Sequence, residues 1–206
     1  HSFNRRDGRQ PSAALVFKAG HLYGTTVGGG AHNLGTVFTL SPNADGSWAA
    51  SVLYSFNSIK SDGAYPFAGL IFDAAGNLYS TTAYGGAYGR GTVFKLTANA
   101  DGSWTESVLH SLNKKDGRYP DAGLIFDTAG NLYGTAYSGG PENGGVVFKL
   151  SPNRNGSWAY SLIHAFQGKP ALGADGGLIL DSAGTLYGTA RGCSSGCQGV
   201  VYQITP

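Results

Sequence analysis

The amino-acid sequence predicts an all-β fold, a small β-propeller with four blades of four antiparallel strands that is closed by the N-terminal strand. Three observations predict this fold. A motif repeats four times with a period near 54 residues, every apolar run is short and lacks a helical period, and glycine, at 34 of 206 residues, falls between those runs. We therefore expect one domain over residues 1–206.

The repeated motif is clearest in the middle of the chain. Residues 68–79 (AGLIFDAAGNLY) return as residues 122–133 and, less closely, as residues 176–187, and a weaker copy occupies residues 13–23. The motif ends each time in a tyrosine, and these tyrosines are 56, 54 and 54 residues apart. A period of this length with strand-like runs is typical of propeller blades. The repeats extend approximately over residues 1–53, 54–109, 110–163 and 164–206.

Each repeat predicts four strands, a to d, and the second repeat shows them best. Strand a covers residues 69–72, strand b residues 77–82, strand c residues 92–96 and strand d residues 104–112. A tight turn with Gly76 joins a to b, a glycine-rich loop joins b to c, and an Asp-Gly hairpin joins c to d. Because a lone four-stranded sheet is only marginally stable, we expect the blades to pack face to face around an axis.

The two ends of the sequence predict how the ring closes. Residues 1–4 (HSFN) match the end of strand d, as in residues 54–57 (YSFN), and the fourth repeat stops after its strand c. The N-terminal segment would then provide the outer strand of the last blade. The alternative is a longer parent protein of which this chain is a piece.

Composition excludes two classes of function. Charged residues are 13% of the chain and the net charge is +2, which is too little for the clustered basic face that nucleic-acid binding requires. No apolar stretch reaches the length of a membrane span. The absence of methionine, including an initiator, suggests a mature chain whose targeting segment has been removed, or a fragment.

Two cysteines, Cys193 and Cys197, lie in the b–c loop of the fourth repeat, where the other repeats have glycine or asparagine. A cysteine pair in a loop of constant length predicts a local disulfide, and hence an oxidising, secreted or cell-surface location. A zinc site would need two further ligands, which no motif provides. The sequence predicts no metal and no cofactor, although a calcium ion on the axis, held by backbone carbonyls, stays open.

No catalytic residue is predicted. Residues 192–196 match Gly-x-Ser-x-Gly, but the motif lies between two strands and no histidine follows Ser194, so it is not a nucleophile elbow. Asp7, Asp62 and Asp116 recur in Asp-Gly-x-x-Pro between strands d and a, where they predict either a turn or a ring of carboxylates near the axial mouth. The tryptophans after the c–d hairpin predict packing, with a sugar platform as the alternative; they are Trp48, Trp104 and Trp158.

The whole repeat resembles known families. Its strand a and strand b phrase, Gly-Leu-Ile-Phe-Asp-x-Ala-Gly-Asn-Leu-Tyr, resembles NHL-type and streptogramin-lyase-like propellers. With Asp-Gly-x-x-Pro before it and Tyr-Gly-Thr-Thr, Gly-Gly and Gly-Thr-Val-Phe-Lys-Leu after it, the unit is similar to the GloVer repeat, a tandem repeat of bacterial secreted or surface-anchored proteins. The resemblance covers nearly the whole chain and implies a propeller outside the cell, without any particular chemistry.

Strands that run as in NHL-type propellers would bring the d–a and b–c loops to one face, where sequence differences among the repeats concentrate. Glycine-rich backbone with tyrosine and arginine side chains predicts a recognition surface there. The d–a loops contribute Arg9, Tyr65, Arg118, Tyr119 and Asp121. The b–c loops contribute His32, Tyr84, Tyr88, Arg90, Tyr137, Glu142 and Arg191.

We therefore expect a non-enzymatic extracellular recognition or scaffold module that binds a glycan or protein ligand through these loops, with no nucleic-acid partner. Two alternatives stay open. An unfilled place for strand d would accept a neighbour's strand and give a self-assembling subunit of a fibre or surface layer. A lyase-like enzyme would need a histidine or glutamate base beside a metal or polar cluster, which the sequence does not assemble.

Overall fold

The computed structural model describes residues 1–57, 62–167, 173–192 and 198–205. In these residues the chain forms 17 β-strands and no helix, which confirms the all-β prediction. Accordingly, no helix in the described residues has the length and hydropathy of a membrane span. The strands make four sheets in repeat order, termed blades 1 to 4, and one small two-stranded sheet.

Strands a to d follow one another across each of the first three blades, and neighbouring strands are antiparallel. Blade 1 consists of β1 (Val16–Lys18), β2 (His21–Thr26), β3 (Thr36–Pro42) and β4 (Trp48–Ser55). The small sheet pairs β5 (Gly63–Ala64) with β8 (Tyr84–Gly85). Blade 2 consists of β6 (Ile71–Phe72), β7 (Leu78–Thr82), β9 (Thr92–Ala98) and β10 (Trp104–Ser111). Blade 3 consists of β11 (Ile125–Phe126), β12 (Leu132–Ala136), β13 (Val146–Pro152) and β14 (Trp158–Ala165). Blade 4 has β15 (Ile179–Leu180), β16 (Leu186–Ala190) and β17 (Val200–Ile204).

The a–b turns form as their sequence predicts. In blade 2 the Asp73 carboxylate accepts hydrogen bonds from the Asn77 backbone N–H at 2.8 Å and from the Tyr79 hydroxyl at 3.0 Å. Gly76 takes a φ of 89°, in the left-handed region that glycine enters without steric cost. These bonds hold the pKa of the Asp73 carboxyl below its usual value despite the opposing effect of burial.

The aspartates of Asp-Gly-x-x-Pro stabilise the d–a loops and do not form a ring around the axis. Asp62 accepts hydrogen bonds from the Tyr54 hydroxyl at 2.9 Å and from the Asn57 backbone N–H at 2.8 Å. Asp116 Oδ2 lies 2.9 Å from His110 Nε2, so the strand-d tyrosine or histidine fixes the loop that follows it. The turn interpretation of these residues is therefore the right one.

The hydrophobic core lies between consecutive blades. Three clusters of buried side chains join blade 1 to 2, blade 2 to 3 and blade 3 to 4. On strand c of blade 2, Phe94 packs toward blade 1 and Val93 toward blade 3, and both are fully buried. Trp104 and Trp158 pack against these clusters. Because burying a large apolar side chain contributes about 1.5–3 kcal/mol, blades 2 and 3 gain stability from a neighbour on each face.

A threonine on strand b ties each blade to the next. The Thr81 hydroxyl donates a hydrogen bond to the Pro120 carbonyl of the following blade at 2.6 Å. Thr25 and Thr135 donate to the Ala68 and Gly176 carbonyls of their following blades, at 2.9 and 3.2 Å, and Thr81 makes the equivalent contact with the Ala122 carbonyl at 3.3 Å. These bonds cross the blade interfaces where the strands themselves do not pair, so they fix how one blade sits on its neighbour.

The N-terminal segment takes the place of a strand-d end but does not close the ring. Phe3 packs on Phe38 of blade 1 with 4.8 Å between ring centroids, much as Phe56 packs on Phe94 at 5.2 Å. Among the described residues, no ladder joins residues 1–4 to β17, and the four blades form an open arc.

The local structure of residues 1–8 differs from that of a complete strand d. Strand d of blade 3 has eight residues, all in β14, and its ladder with β13 extends from end to end. In residues 1–8 the Asn4 carbonyl instead accepts a hydrogen bond from the Gly8 N–H at 3.0 Å, which begins the d–a loop. The predicted closure by the N-terminal strand is therefore not observed among the described residues.

Candidate binding site

The d–a and b–c loops of each blade are hydrogen-bonded to each other and share one face of the arc. In blade 2 this contact is the β5–β8 pair, and in blades 1 and 3 it is a single bridge, Arg9 to Gly28 and Arg118 to Ser138. The predicted recognition loops are therefore adjacent, held on a rigid set of strands.

One position in the d–a loop has a left-handed backbone in every repeat. Gln10, Tyr65 and Tyr119 have φ values of 58°, 58° and 57°, and Gly173 occupies the position in blade 4 with 82°. The backbone N–H of Tyr119 donates to the Arg90 carbonyl of the preceding blade at 3.1 Å, and that bond holds the conformation. A tyrosine in this region is strained, and such strain is concentrated at functional sites.

The two strained tyrosines, Tyr65 and Tyr119, form with Tyr84 an aromatic surface, termed the tyrosine cluster. The rings of Tyr65 and Tyr84 are 5.7 Å apart, edge to face, and those of Tyr84 and Tyr119 are 5.0 Å apart. The Arg118 guanidinium lies 5.3 Å from the Tyr119 ring and its Nε donates to the Ser138 hydroxyl at 2.7 Å. Tyr84 keeps 42% of its surface exposed, so the cluster presents aromatic faces to solvent.

Beside the cluster is an open cavity of about 460 Å³, termed the axial pocket. Its lining comprises Ser12, Phe67, Asp121 and Asp175, together with Tyr137 and Arg191. The first four residues occupy the same position of the repeat, one in each of blades 1 to 4. This position directly precedes the repeated segment that contains strand a. The four blades therefore converge on this pocket, which marks the axis of the arc.

The polar groups of the axial pocket are paired unequally. Arg191 forms an ion pair with Asp175, and its guanidinium lies 5.7 Å from the Tyr137 ring. Asp121 Oδ1 is buried and has no hydrogen-bond partner within the described part of the chain. Burial raises the pKa of the Asp121 carboxyl to about 6, the Asp175 charge adds to this rise, and Arg191 opposes it. An unsatisfied buried carboxyl oxygen in an open cavity is a ready acceptor or donor for a ligand hydroxyl.

The pocket and the cluster form one surface. Tyr119 of the cluster and Asp121 of the pocket lie two residues apart in one d–a loop, and the Tyr137 N–H donates to the Tyr119 carbonyl at 3.0 Å. Arg118, Tyr137 and Arg191, which the sequence analysis had named, also lie on this surface.

Five other predicted residues lie elsewhere on the loops. The Arg9 side chain covers Gly28 of its own blade, and His32 lies near Asp62 in the next d–a loop, where burial raises the pKa of the Asp62 carboxyl against the opposing effect of its hydrogen bonds. Tyr88 is 62% exposed, and Arg90 contributes its backbone carbonyl to the Tyr119 contact. Glu142 is exposed as well.

Sequence reasoning missed Ser12, Phe67 and Asp175. The signal was present, because all three share with Asp121 the repeat position before strand a. Cys193 and Cys197, the predicted disulfide, lie outside the described residues. Within the described ranges, no three histidine, cysteine, aspartate or glutamate side chains group closely enough to hold a metal ion.

Comparison with known proteins identifies the repeat. The Gloeobacter/Verrucomicrobia repeat matches residues 1–106 and, in an overlapping second match, residues 46–206. The chain belongs to this family. No curated protein has a sequence that matches it.

Solved structures match this member of the Gloeobacter/Verrucomicrobia repeat family over most of its length. A protein of unknown function from Dyadobacter fermentans has 13% identity and a TM-score of 0.58, with 95% of this chain and 67% of that chain covered. A luciferin-regenerating enzyme has 18% identity and a TM-score of 0.52, with 97% and 60% covered. The GH43 endo-arabinanase from Bacillus licheniformis has 14% identity and a TM-score of 0.51, with 96% and 70% covered.

These likenesses show the fold alone. The chain is all-β and propeller-like, and it spans 60 to 70% of the length of these three proteins. The GH43 neighbours are five-bladed β-propellers, whereas this chain has four blades in an open arc.

Proposed function

We propose that this chain is a secreted or cell-surface recognition module that binds a glycan across the axial pocket and the tyrosine cluster. The observation that carries the proposal is the convergence of one repeat position from four blades on a pocket that adjoins exposed tyrosines. A sugar ring has an apolar face that stacks on aromatic rings and hydroxyls that bond to carboxylate and guanidinium groups. The surface offers both kinds of partner within one open site.

The dimensions of the surface favour a chain of sugars over a single one. The axial pocket of about 460 Å³ is large enough for one terminal residue, and the tyrosine cluster extends away from it across blades 2 and 3. The Arg118 guanidinium contacts the Tyr119 ring, and the Arg191 guanidinium contacts the Tyr137 ring. These contacts restrict the two rings before a ligand binds, which reduces the conformational entropy lost on binding.

The test is titration calorimetry with oligosaccharides. Arabinan fragments are the first probe, because an endo-arabinanase shares the fold, and other plant and bacterial polysaccharide fragments follow. Tyr84→Ala and Tyr137→Ala should each weaken binding at least about tenfold, since each removes an aromatic contact at the centre of the surface.

Phe17→Ala is the matched control. Phe17 is an exposed aromatic residue on β1, close to the a–b turn and so at the opposite end of the blade from the d–a loop. Its removal should leave the affinity unchanged. Failure of every fragment to bind at millimolar concentration, or equal losses in Phe17→Ala and Tyr84→Ala, would contradict the proposal.

A second candidate is cleavage of the glycan. The axial pocket contains two carboxyl groups, Asp121 with a pKa raised to about 6 and Asp175 in an ion pair, and glycosidases use two carboxyls in unequal environments. This candidate would be favoured if reducing ends are released during the same titrations. The release should be lost in both Asp121→Asn and Asp175→Asn, while both variants still bind the glycan.

A further inference from the structure

The two ends of the arc present the faces that other blades cover. On the outward face of blade 4, Val201 is 81% exposed and Ile179 is 69% exposed, whereas Val147, at the Val201 position in blade 3, is fully buried. On the opposite face of blade 1, Phe17 is 66% exposed and Leu15 is 47% exposed. Each end therefore leaves an apolar sheet face uncovered.

The hydrogen-bonding groups of blade 4 are uncovered as well. Thr189 occupies the position of the threonines that tie blades 1 to 3 to their successors, and it is exposed without such a bond among the described residues. An open groove of about 710 Å³ follows this face, lined by Asp175, residues 189–192 and residues 198–201. Among the residues that the structure describes, no strand d lies beside the outer edge of β17, and β17 itself contains no charge or proline that would protect an edge.

The two end blades meet at the axis. Ser12 of blade 1 and Asp175 of blade 4 both line the axial pocket, so the first and last blades reach the same cavity on the axis. A blade of the same repeat has two apolar faces, which are the kind of surface that covers each sheet inside the arc. Blades 1 to 3 also show what covers these faces, because each pairs its strand c with a strand d and stacks on the next blade.

We propose that the gap between the two end faces binds one further repeat of the same family, joined to β17 by the c–d hairpin turn found in blades 1 to 3. The strand d at the start of the added segment pairs with β17 and so completes blade 4. Strands a to c of the segment form a new blade, which covers Val201 and Ile179 with one face and Leu15 and Phe17 with the other. Residues 1–4 then form the end of strand d of this new blade, and Phe3 already packs on Phe38 in that place.

The test is an extended chain in which residues 99–152 are repeated after residue 206. This segment comprises a c–d turn, a strand d, a d–a loop and strands a to c. The midpoint of thermal unfolding should rise by about 10 °C, because both end faces become buried. Amide hydrogen exchange in β15 and β17 should slow at the same time.

One substitution separates a filled gap from a disordered extension. Val201→Lys should lower the unfolding midpoint of the extended chain by about 10 °C but that of the unmodified chain by less than about 2 °C, since only the extended chain buries this residue. Leu162→Lys, at an exposed position on β14, should have the same small effect in both chains.

Two outcomes would overturn the proposal. One is an extended chain that is no more stable than the unmodified one, with Val201→Lys equally harmless in both. The other is an unmodified chain that forms dimers or filaments by light scattering and loses them in Val201→Lys, because the partner at this face would then be a second copy. Neither outcome depends on glycan binding.

Discussion

The blades inside the arc and the blades at its ends have nearly the same sequence but different surroundings. In blade 3, Val147 and Leu124 are buried because blades 2 and 4 cover its two faces. At the ends, Val201 of blade 4 and Leu15 of blade 1 occupy the same two positions and are exposed. The difference teaches that the repeat specifies a sheet with two apolar faces, and that stability comes from the number of neighbours.

The largest expected difference is between Leu124→Ala and Leu15→Ala. Leu124→Ala should lower the free energy of unfolding by about 2–5 kcal/mol, because it leaves a cavity between blades 2 and 3. Leu15→Ala should cost less than about 1 kcal/mol, because half of that side chain is already in water. Urea unfolding of the two variants measures both values, and equal losses would mean that blade 1 is covered in solution.

The tie between blades gives a smaller difference. Thr135→Val removes the hydrogen bond from blade 3 to the Gly176 carbonyl and should cost about 1 kcal/mol. Thr189→Val, at the same position in blade 4, should be neutral within about 0.5 kcal/mol. Thermal unfolding of the pair distinguishes a bond across a blade interface from a general effect of threonine on strand b.

Blades 2 and 3 both have a neighbour on each side, but at one position of strand d the residue is Glu106 in blade 2 and Tyr160 in blade 3. In blade 3 the Tyr160 hydroxyl donates to the Asp116 carbonyl at 2.6 Å, but blade 2 has Glu106 at that position, and its buried Oε1 has no hydrogen-bond partner among the described residues. Burial, followed by the charge of Asp62, raises the pKa of the Glu106 carboxyl to about 8. Glutamate at this position therefore makes folding depend on pH.

Because the folded-state pKa of Glu106 lies above its ordinary value, the contribution of this group to stability is complete below about pH 4.5. It is lost as the pH rises toward 8. Glu106→Gln should therefore raise the free energy of unfolding at pH 8 on the order of 1 kcal/mol, a figure reduced for partial solvation, and leave it unchanged at pH 4. Urea unfolding at the two pH values tests this, and an equal effect at both would exclude ionisation as the cause.

Much of the fold follows from the sequence because its signals are local. Asp-Gly turns, glycines with left-handed backbone and short apolar runs specify each strand, and four copies of the pattern specify the blades. Closure could not be predicted in the same way, since it depends on how far residues 1–4 reach and on the angle between blades. Neither quantity is encoded in a single repeat.

The candidate site was predicted in part. Tyr65, Tyr84 and Tyr119 stood out because they are aromatic residues in the loops where the repeats differ most in sequence. Asp175 did not, because the fourth d–a loop lacks the Asp-Gly-x-x-Pro motif and its alignment with Asp121 is visible only through the position of strand a. The pocket arises from equivalent positions meeting on an axis, which is a property of the assembled blades.

The left-handed position of the d–a loop has a consequence for the side chains that this surface can present. Its backbone is held by hydrogen bonds to the preceding blade, as when Tyr65 donates its N–H to the Leu34 carbonyl at 2.8 Å. The side chain takes no part in that bond, and the four repeats have Gln10, Tyr65, Tyr119 and Gly173 there. Different side chains can therefore be presented at this position, while the scaffold that holds them stays the same.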